Sequence, residues 1–451
     1  MVMKGFFHSV RLNEERCKGC VNCIKHCPTE AIRIRNGKAE ITEERCIDCG
    51  ECIRQCANHA KMAVTDKMSA LEPFRYNIAL PAPSLYAQFP ARITEEEIAA
   101  ALVSIGFDAV FEVAWAAELV SAAIHEFLNN PTRQNYKKPL ISSACPAVVR
   151  LVQVRFPELL DHIVPLPPPV EVAATRARTE AAVSTGLSPD EIGVWFITPC
   201  PAKATTVRHP LGMEKSALNG TISMARVYGE IRRAMRHLQP RSADKTGLGK
   251  KGLGWAAAGG EKEAARIENA LVVHGIHEVA ALLEQVAMNK LCDVDYIECL
   301  ACAGGCLGGP LVVENRFVSE RNLRKRMLLL QEEVMAQTDE TDALTPPVGH
   351  IEPRSMLAMD PDIAAAMRKI EAMEMVLARL PGLDCGSCGS PSCKSLAEDI
   401  VQGLASETDC VFRLRDRVKN LAEEMVDLAQ RLPPSLTRRD MVDLEEEDET
   451  E

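Results

Sequence analysis

The sequence predicts an α/β protein, in which a central α/β domain lies between a small α+β domain and a small C-terminal helical domain. In the middle of the 451-residue chain, short apolar runs such as 193–198 and 270–275 alternate with helical patterns such as 276–288. This alternation is typical of buried strands connected by helices. Of the 18 cysteines, sixteen fall into three groups: eight in residues 17–56, four spread over 145–306 and four in 385–410, with Cys292 and Cys299 left over. Three cysteine groups indicate three modules.

Composition and charge narrow the class of protein. With 47% apolar residues the chain can build a sizeable core, and a net charge of −11 argues against nucleic acid as a partner. The sequence shows no apolar run long enough to span a membrane and no export signal, so we expect a cytoplasmic protein. Because thiols stay reduced there, the cysteines are expected to be metal or redox ligands rather than disulfides.

The first module carries one cysteine spacing twice. Two, two and three residues separate successive cysteines from Cys17 to Cys27, and the spacing recurs from Cys46 to Cys56. Zinc knuckles use two pairs of ligands and do not fit this pattern. The spacing resembles that of two-cluster ferredoxins, in which the fourth cysteine of each motif ligates the other cluster. The resemblance implies two [4Fe-4S] clusters, held by Cys17, Cys20, Cys23 and Cys56 and by Cys46, Cys49, Cys52 and Cys27.

The last module offers four more cysteines, three of them in a glycine-rich loop. Intervals of two, four and sixteen residues separate Cys385, Cys388, Cys393 and Cys410. The pattern resembles a small [4Fe-4S] domain attached to several anaerobic electron-transfer proteins, and zinc is the alternative. Helices are predicted on both sides, over 360–380 with an aspartate N-cap and over 413–432.

These patterns set the expected domain boundaries. We expect a two-cluster domain (1–66), the central domain (67–340), a linker (341–359), a C-terminal cluster domain with flanking helices (360–432) and an acidic, disordered tail (433–451).

The central module holds cysteines in three separate motifs. Cys145 and Cys200 each precede a proline, in SSACPAVVR and ITPCPAK, whereas Cys302 and Cys306 lie in ECLACAGGCLGGP, residues 298–310. A glycine held in one conformation costs roughly 0.5–1 kcal/mol, so four glycines here indicate close backbone approach, as a bulky inorganic ligand would demand. The four thiols could bind a further cubane cluster.

The three motifs resemble, in order, the signatures TSCCPxW, MPCxxKxxE and ExMxCxxGCxxGG of the catalytic domain of [FeFe]-hydrogenases. The likeness runs from residue 1 to about 335 and implies a catalytic domain of two α/β lobes. It implies that Cys145, Cys200, Cys302 and Cys306 hold the cubane of an H-cluster, with Cys306 bridging to a two-iron unit carrying carbonyl, cyanide and azadithiolate. Lys203 would pair with one cyanide, and Pro81 and Ala82 would offer donors to the other.

The sequence departs from this family at the positions that carry protons. Alanine stands where typical members have a proton-passing cysteine, and apolar residues or threonine replace the relay and two-iron-site residues. These positions are Ala144, Ile124, Phe127, Val164, Thr198, Leu300 and Thr206. Losing a positioned proton carrier costs about 10²–10⁴-fold in rate, so turnover should be slow. Ala144, the retained Cys306 and the C-terminal cluster together resemble the sensory-type branch of the family.

The resemblance implies slow, reversible oxidation of H2 to protons and electrons, used for hydrogen sensing. Electrons would pass through the [4Fe-4S] clusters to a redox partner such as a ferredoxin or to a signalling protein. Glu298 is a candidate proton group or a hydrogen-bonded supporting residue. The alternative function is that of a hydrogenase-like iron–sulfur protein without the two-iron unit, acting in electron transfer or cluster assembly. Cys292 and Cys299 are interpreted as buried small hydrophobes.

Overall fold

The computed structural model describes residues 7–130, 137–237, 248–330, 349–354, 360 and 362–431. The chain divides into two compact units, Met1–Met356 and Leu357–Glu451. Most of the predicted linker and all of the predicted acidic tail lie outside the described residues. Among the described helices, none combines the length and the hydrophobicity needed to cross a membrane.

The N-terminal domain consists of two antiparallel strand pairs and two one-turn helices. In chain order these are β1 (Val10–Leu12), α1 (Asn22–Lys25), β2 (Ile32–Arg35), β3 (Lys38–Ile41), α2 (Glu51–Arg54) and β4 (Lys61–Ala63). β1 pairs with β4 and β2 with β3. Asn36 and Gly37 connect β2 to β3 and both have positive φ, as a tight two-residue hairpin turn requires. Each short helix carries the third cysteine of its motif.

The central domain alternates strands and helices. In chain order the elements are β5 (Tyr76–Pro81), α3 (Pro83–Tyr86), α4 (Glu95–Ser104), β6 (Ala109–Val110), α5 (Val113–Asn129), β7 (Leu140–Ile141), α6 (Pro146–Arg155), α7 (Pro169–Thr185), β8 (Ile192–Thr198), α8 (Pro201–Arg208), β9 (Gly220–Ser223), α9 (Met224–Ala234), α10 (Lys250–Gly254), α11 (Gly260–Ala264), β10 (Ala270–His274), α12 (Ile276–Ala287), β11 (Tyr296–Leu300) and α13 (Arg316–Leu329).

These strands form two parallel sheets, one in each lobe. The first has the order β6-β5-β8-β9 and the second the order β10-β11-β7. Every residue of β8 is buried, as expected for a strand covered by helices on both faces. The predicted strands at 193–198 and 270–275 and the helix at 276–288 match β8, β10 and α12. The expected two-lobed α/β fold is therefore confirmed.

The N-terminal domain belongs to the same compact unit as the two lobes. Direct hydrogen bonds join them: Ser9 N donates to Thr205 Oγ1 at 3.1 Å, and Arg155 donates to the Pro28 carbonyl oxygen at 2.9 Å. A Cβ at Gly50 would lie 2.5 Å from a Pro310 side-chain carbon. The boundary expected near residue 66 therefore lies within one compact unit.

Within the described residues of the C-terminal unit there are three α-helices: α14 (Ile363–Arg379), α15 (Cys393–Val401) and α16 (Val411–Gln430). The predicted aspartate cap is Asp362, whose side chain accepts a hydrogen bond from Ala365 N at 2.9 Å. A small core with Val376, Leu380 and Leu396 joins α14 to α15. None of the residues of α16 is buried.

Candidate active site and cluster sites

Four cysteines of the central domain lie just beyond the carboxyl ends of parallel strands. Cys145 follows β7, Cys200 follows β8, and Cys302 and Cys306 follow β11. These ends are where open α/β sheets bind ligands. The four side chains line one cavity of about 100 Å³. The structure therefore brings the four predicted cubane ligands together, from motifs that are far apart in the sequence.

Local helix chemistry explains the two Cys-Pro motifs. Cys145 and Cys200 are the N-cap residues of α6 and α8, and the prolines that follow them occupy the first helical position. Proline is favoured there because its missing N–H would have no partner in the helix anyway. The positive end of each helix therefore faces its cysteine, where it favours a thiolate.

The glycines of residues 298–310 allow backbone segments to pack closely, because a side chain at these positions would clash. A Cβ at Gly308 would lie 2.1 Å from the Ala303 carbonyl oxygen. At Gly305, which has a φ of 80°, a Cβ would lie 2.8 Å from Ala258 N. The expectation that a ligand demands these glycines is therefore incomplete, because neighbouring chain segments already exclude a side chain.

The donor set of the cavity fits a metal cluster. Burial is the main cause that raises the pKa of the Cys306 thiol to about 12, and it raises the pKa of Cys200 well above its usual range. Such thiols stay protonated unless a bound cation displaces the proton. Ser84 Oγ lines the same cavity, and the described residues give this buried hydroxyl no hydrogen-bond partner. It would suit a polar ligand on a metal.

Lys203 and the segment after β5 were expected to contact cyanide. Lys203 lines the cavity, and its Nζ donates to the Ala144 carbonyl oxygen at 2.9 Å. Pro81 has no N–H to donate, and Ala82 N donates to the Ile197 carbonyl oxygen at 3.3 Å. The two residues therefore offer no backbone donor here.

Ser84 is the candidate donor that the sequence reasoning missed. Ser84 lines the cavity and lies three residues after Pro81, at which the expected donor segment begins. The serine is visible in the sequence LPAPS, but only the structure identifies it as buried and without a partner.

Two buried glutamates line the cavity beside the thiols. Glu298, expected as a proton group, accepts hydrogen bonds from Gly259 N at 2.8 Å and from Lys262 N at 2.9 Å. Glu261, which the sequence reasoning missed, accepts from the Ser142 hydroxyl at 2.7 Å and from the Tyr296 hydroxyl at 2.6 Å. Burial, and secondarily the charge of Glu261, raises the pKa of Glu298 to about 8. Burial also raises the pKa of Glu261.

Most of the positions at which this sequence lacks the family's proton-relay residues are occupied by apolar side chains. Ile124 and Phe127 of α5 are buried in one apolar cluster with Val164. Thr206 Oγ1 donates within its own helix to the Ala202 carbonyl oxygen, and Leu300 lines the cavity. A packed apolar cluster offers no site to a proton. At Ile124, Phe127 and Val164 the packing therefore leaves no side chain that could carry a proton.

The N-terminal cysteines assemble in the two predicted sets. Cys17, Cys20 and Cys56 lie near enough to the Cys23 thiol to influence its pKa, and burial is the main cause that raises this pKa to about 11. Cys46 and Cys49 each have Cys27 as a near neighbour. Cys49 also lines the central cavity, which places one predicted cluster site beside the active site.

The remaining cysteines divide between a second pocket and isolated positions. Cys385, Cys388, Cys393 and Cys410 line one small pocket in the C-terminal unit. Cys299 is fully buried in β11, as predicted. Cys292, in contrast, is exposed, with its thiol donating to the Asn289 carbonyl oxygen at 3.1 Å. Its interpretation as a buried residue is wrong, because it lies in the turns between α12 and β11.

Arg54 connects the N-terminal domain to the active-site loop. It lies in α2, between the predicted ligands Cys52 and Cys56, and donates to the Gly308 carbonyl oxygen at 2.8 Å. Its positive charge also opposes the effect of burial on the pKa of the nearby Cys302 thiol. One side chain of the N-terminal domain thus bonds to the loop that carries Cys302 and Cys306.

The fold and the site define a protein class: an iron–sulfur oxidoreductase with groups of cysteines arranged in and beside a central cavity. A family model for the iron only hydrogenase large subunit, C-terminal domain, matches residues 75–219 and 252–310. A 4Fe-4S dicluster domain matches residues 9–57, and an Fe-S cluster domain matches residues 380–412. Together these matches support an iron-only hydrogenase-family protein with ferredoxin-like and 4Fe-4S domains.

Individual relatives agree with this assignment. The periplasmic [Fe] hydrogenase large subunit of Nitratidesulfovibrio vulgaris is 28% identical over 67% of this chain and 86% of its own length. Iron hydrogenase 1 of Clostridium pasteurianum is 26% identical over 47% of this chain, which spans only 44% of that protein. A variant of [FeFe]-hydrogenase HydA1 from Chlamydomonas reinhardtii in the apo form has a TM-score of 0.50 at 14% identity, covering 64% of this chain and 98% of its own. That likeness supports the fold.

Proposed function

We propose that the protein catalyses slow, reversible oxidation of H2 to two protons and two electrons and acts in hydrogen sensing. The observation that carries this proposal is the cavity, which collects Cys145, Cys200, Cys302 and Cys306 together with Lys203 and the buried Ser84 hydroxyl. These residues would hold an H-cluster, with Lys203 and Ser84 directed to its polar ligands. When bound, this group supplies the iron that binds hydrogen and accepts its electrons.

Glu261 and Glu298 handle the protons in this proposal. Both carboxyl groups line the cavity, and the raised pKa of Glu298, about 8, lets it exchange a proton near neutral pH. The hydroxyls of Ser142 and Tyr296 extend the polar path from Glu261. These four buried polar side chains offer the protons a route separate from the usual relay positions, which apolar side chains occupy. Slow turnover is expected because Ala144 leaves no titratable side chain at the first position.

Electrons leave through the N-terminal domain. Cys49 borders the active-site cavity, and the second set of N-terminal cysteines lies within the same small domain. Three further [4Fe-4S] clusters are proposed, two here and one in the C-terminal unit. The final acceptor is a redox partner such as a ferredoxin, or a signalling protein.

Infrared spectroscopy tests the proposed cofactor. Anaerobic protein matured with a synthetic two-iron cofactor should show sharp bands of bound carbonyl and cyanide that shift under H2. The control is the same protein reconstituted with iron and sulfide alone, which should show no such bands. If these bands were absent although the cubane sites were filled, the protein would instead be an iron–sulfur protein that acts in electron transfer or cluster assembly.

Arg54→Gln should lower the reduction potential of the active-site cubane. A positive charge in the immediate neighbourhood of a cluster contributes on the order of 1 kcal/mol even in a water-like dielectric, or about 40 mV for one electron. Potentiometric titration followed by electron paramagnetic resonance measures the shift. Arg11→Gln is the matched control, since Arg11 is half exposed and pairs with Glu43 instead. Equal potentials in both variants would contradict a role for Arg54.

A further inference from the structure

The last helix of the described chain presents a regular apolar seam that nothing in the described residues covers. Six apolar residues recur along α16 at intervals of three and four: Val411, Leu414, Val418, Leu421, Met425 and Leu428. Their exposed fractions lie between 45% and 70%. This 3.5-residue repeat is the signature of a coiled-coil contact, with valine or methionine at one core position and leucine at the other. A solitary surface helix gains nothing from such a seam.

The charges of α16 identify the occupant of this seam. The first half, residues 411–420, contains four basic residues and one acidic residue, whereas residues 421–430 contain three acidic residues and no basic one. This distribution opposes the helix macrodipole, which favours acidic residues at the N-terminus and basic residues at the C-terminus. The pattern therefore does not serve the isolated helix. It is complementary to the same helix running in the opposite direction.

We propose that two copies of this chain associate through α16, with the two helices antiparallel. Full overlap places Val411 against Leu428 of the second copy, Leu414 against its Met425 and Val418 against its Leu421. The basic half of each helix then faces the acidic half of the other, and the two macrodipoles are antiparallel.

Two charged residues beside the seam would fix this direction. In the full-overlap register, Arg417 of one copy flanks the seam next to Glu424 of the second copy, and this pair occurs twice. Within the described residues, neither side chain has an ion pair or a hydrogen bond, although Lys419 already pairs with Glu423 at 3.7 Å. Arg417 and Glu424 are thus available for a partner. This proposal does not depend on hydrogen chemistry.

Sedimentation equilibrium of the full chain tests the association. We expect twice the mass of one chain at micromolar concentration, and Leu421→Asp should raise the dissociation constant at least tenfold. The matched control is Val426→Asp, because Val426 is equally exposed on α16 but lies off the seam. Circular dichroism checks that both variants keep their helix. A wild-type chain that stays monomeric, or a dimer indifferent to Leu421→Asp, would overturn the proposal. The proposal would also be overturned if another part of the same chain were found to cover the seam.

Charge reversal tests the direction. Arg417→Glu alone and Glu424→Arg alone should each weaken self-association about fivefold, because each homodimer then carries two like-charge pairs. Mixing the two variants should restore wild-type affinity, since the mixed dimer recovers both opposite-charge pairs. A mixture no tighter than its components would exclude the antiparallel arrangement.

Discussion

Replacing Cys306 by alanine should remove hydrogen turnover and the infrared bands of the two-iron unit together. Cys306 follows β11 and shares the cavity with Lys203, whose charge opposes the effect of burial on the pKa of this thiol. Without the thiolate, the two-iron unit has no covalent attachment in the proposed site. We expect activity to fall to the background rate of the buffer, the largest effect of any substitution considered.

Cys299→Ala is the control for this substitution. Cys299 is another buried cysteine of the same strand and loop region, but it lies in an apolar core. This variant should keep both the bands and the turnover, with at most a small loss of stability. If Cys306→Ala retained the bands while Cys299→Ala lost them, the assignment of the bridging thiolate would be incorrect.

Glu261→Gln and Glu298→Gln should each lower turnover by about 10²-fold, with unchanged infrared bands at rest. Each substitution keeps the shape of the side chain but removes the exchangeable carboxyl proton, and positioned proton carriers typically contribute 10²–10⁴-fold. Hydrogen evolution with a chemical reductant and H2 oxidation with a dye measure the two directions. Glu263→Gln, at an exposed position on the same short helix, is the control and should leave both rates unchanged.

The pH dependence separates a proton carrier from a supporting residue. Since burial raises the pKa of Glu298 from its usual 4.5 to about 8, the carboxyl keeps its proton through neutral pH and loses it above about 8. Hydrogen evolution in the wild type should therefore decline above pH 8. In Glu298→Gln the rate of hydrogen evolution should be low at every pH and should not decline further above pH 8. A normal rate and an unaltered profile would leave Glu298 as a hydrogen-bonded structural residue.

Cluster sites were predictable from sequence because cysteine spacing within one motif fixes which thiols can meet. The triplets from Cys17 to Cys23 and from Cys46 to Cys52 lie around one-turn helices, so local geometry alone brings their thiols together. The fold class was equally accessible, since a fully apolar run such as β8 has few alternatives to a buried strand. Spacing alone could not show that Cys145, Cys200 and Cys302 meet at one site, because their motifs are far apart in the sequence. The resemblance to a known family predicted that they do.

Residues whose roles arise from tertiary contact were harder to find. Glu261 lies in a short helix with no motif, and only the fold places it beside Ser142 and Tyr296. Ser84 was missed because burial without a partner is invisible in sequence. Pro81 and Ala82 were selected by likeness alone, although proline lacks a donor and Ala82 N already bonds within the sheet.

The four central cysteines come from both lobes of the central domain, and this should affect how the molecule unfolds. Cys200 follows a strand of the first sheet, whereas Cys145, Cys302 and Cys306 follow strands of the second. A metal cluster bound by all four would cross-link the two lobes, and ligands that bind only the native state raise its stability. Calorimetry of the iron-loaded protein should then give one cooperative melting transition. Removal of the iron should uncouple the lobes, so that the less stable one melts first.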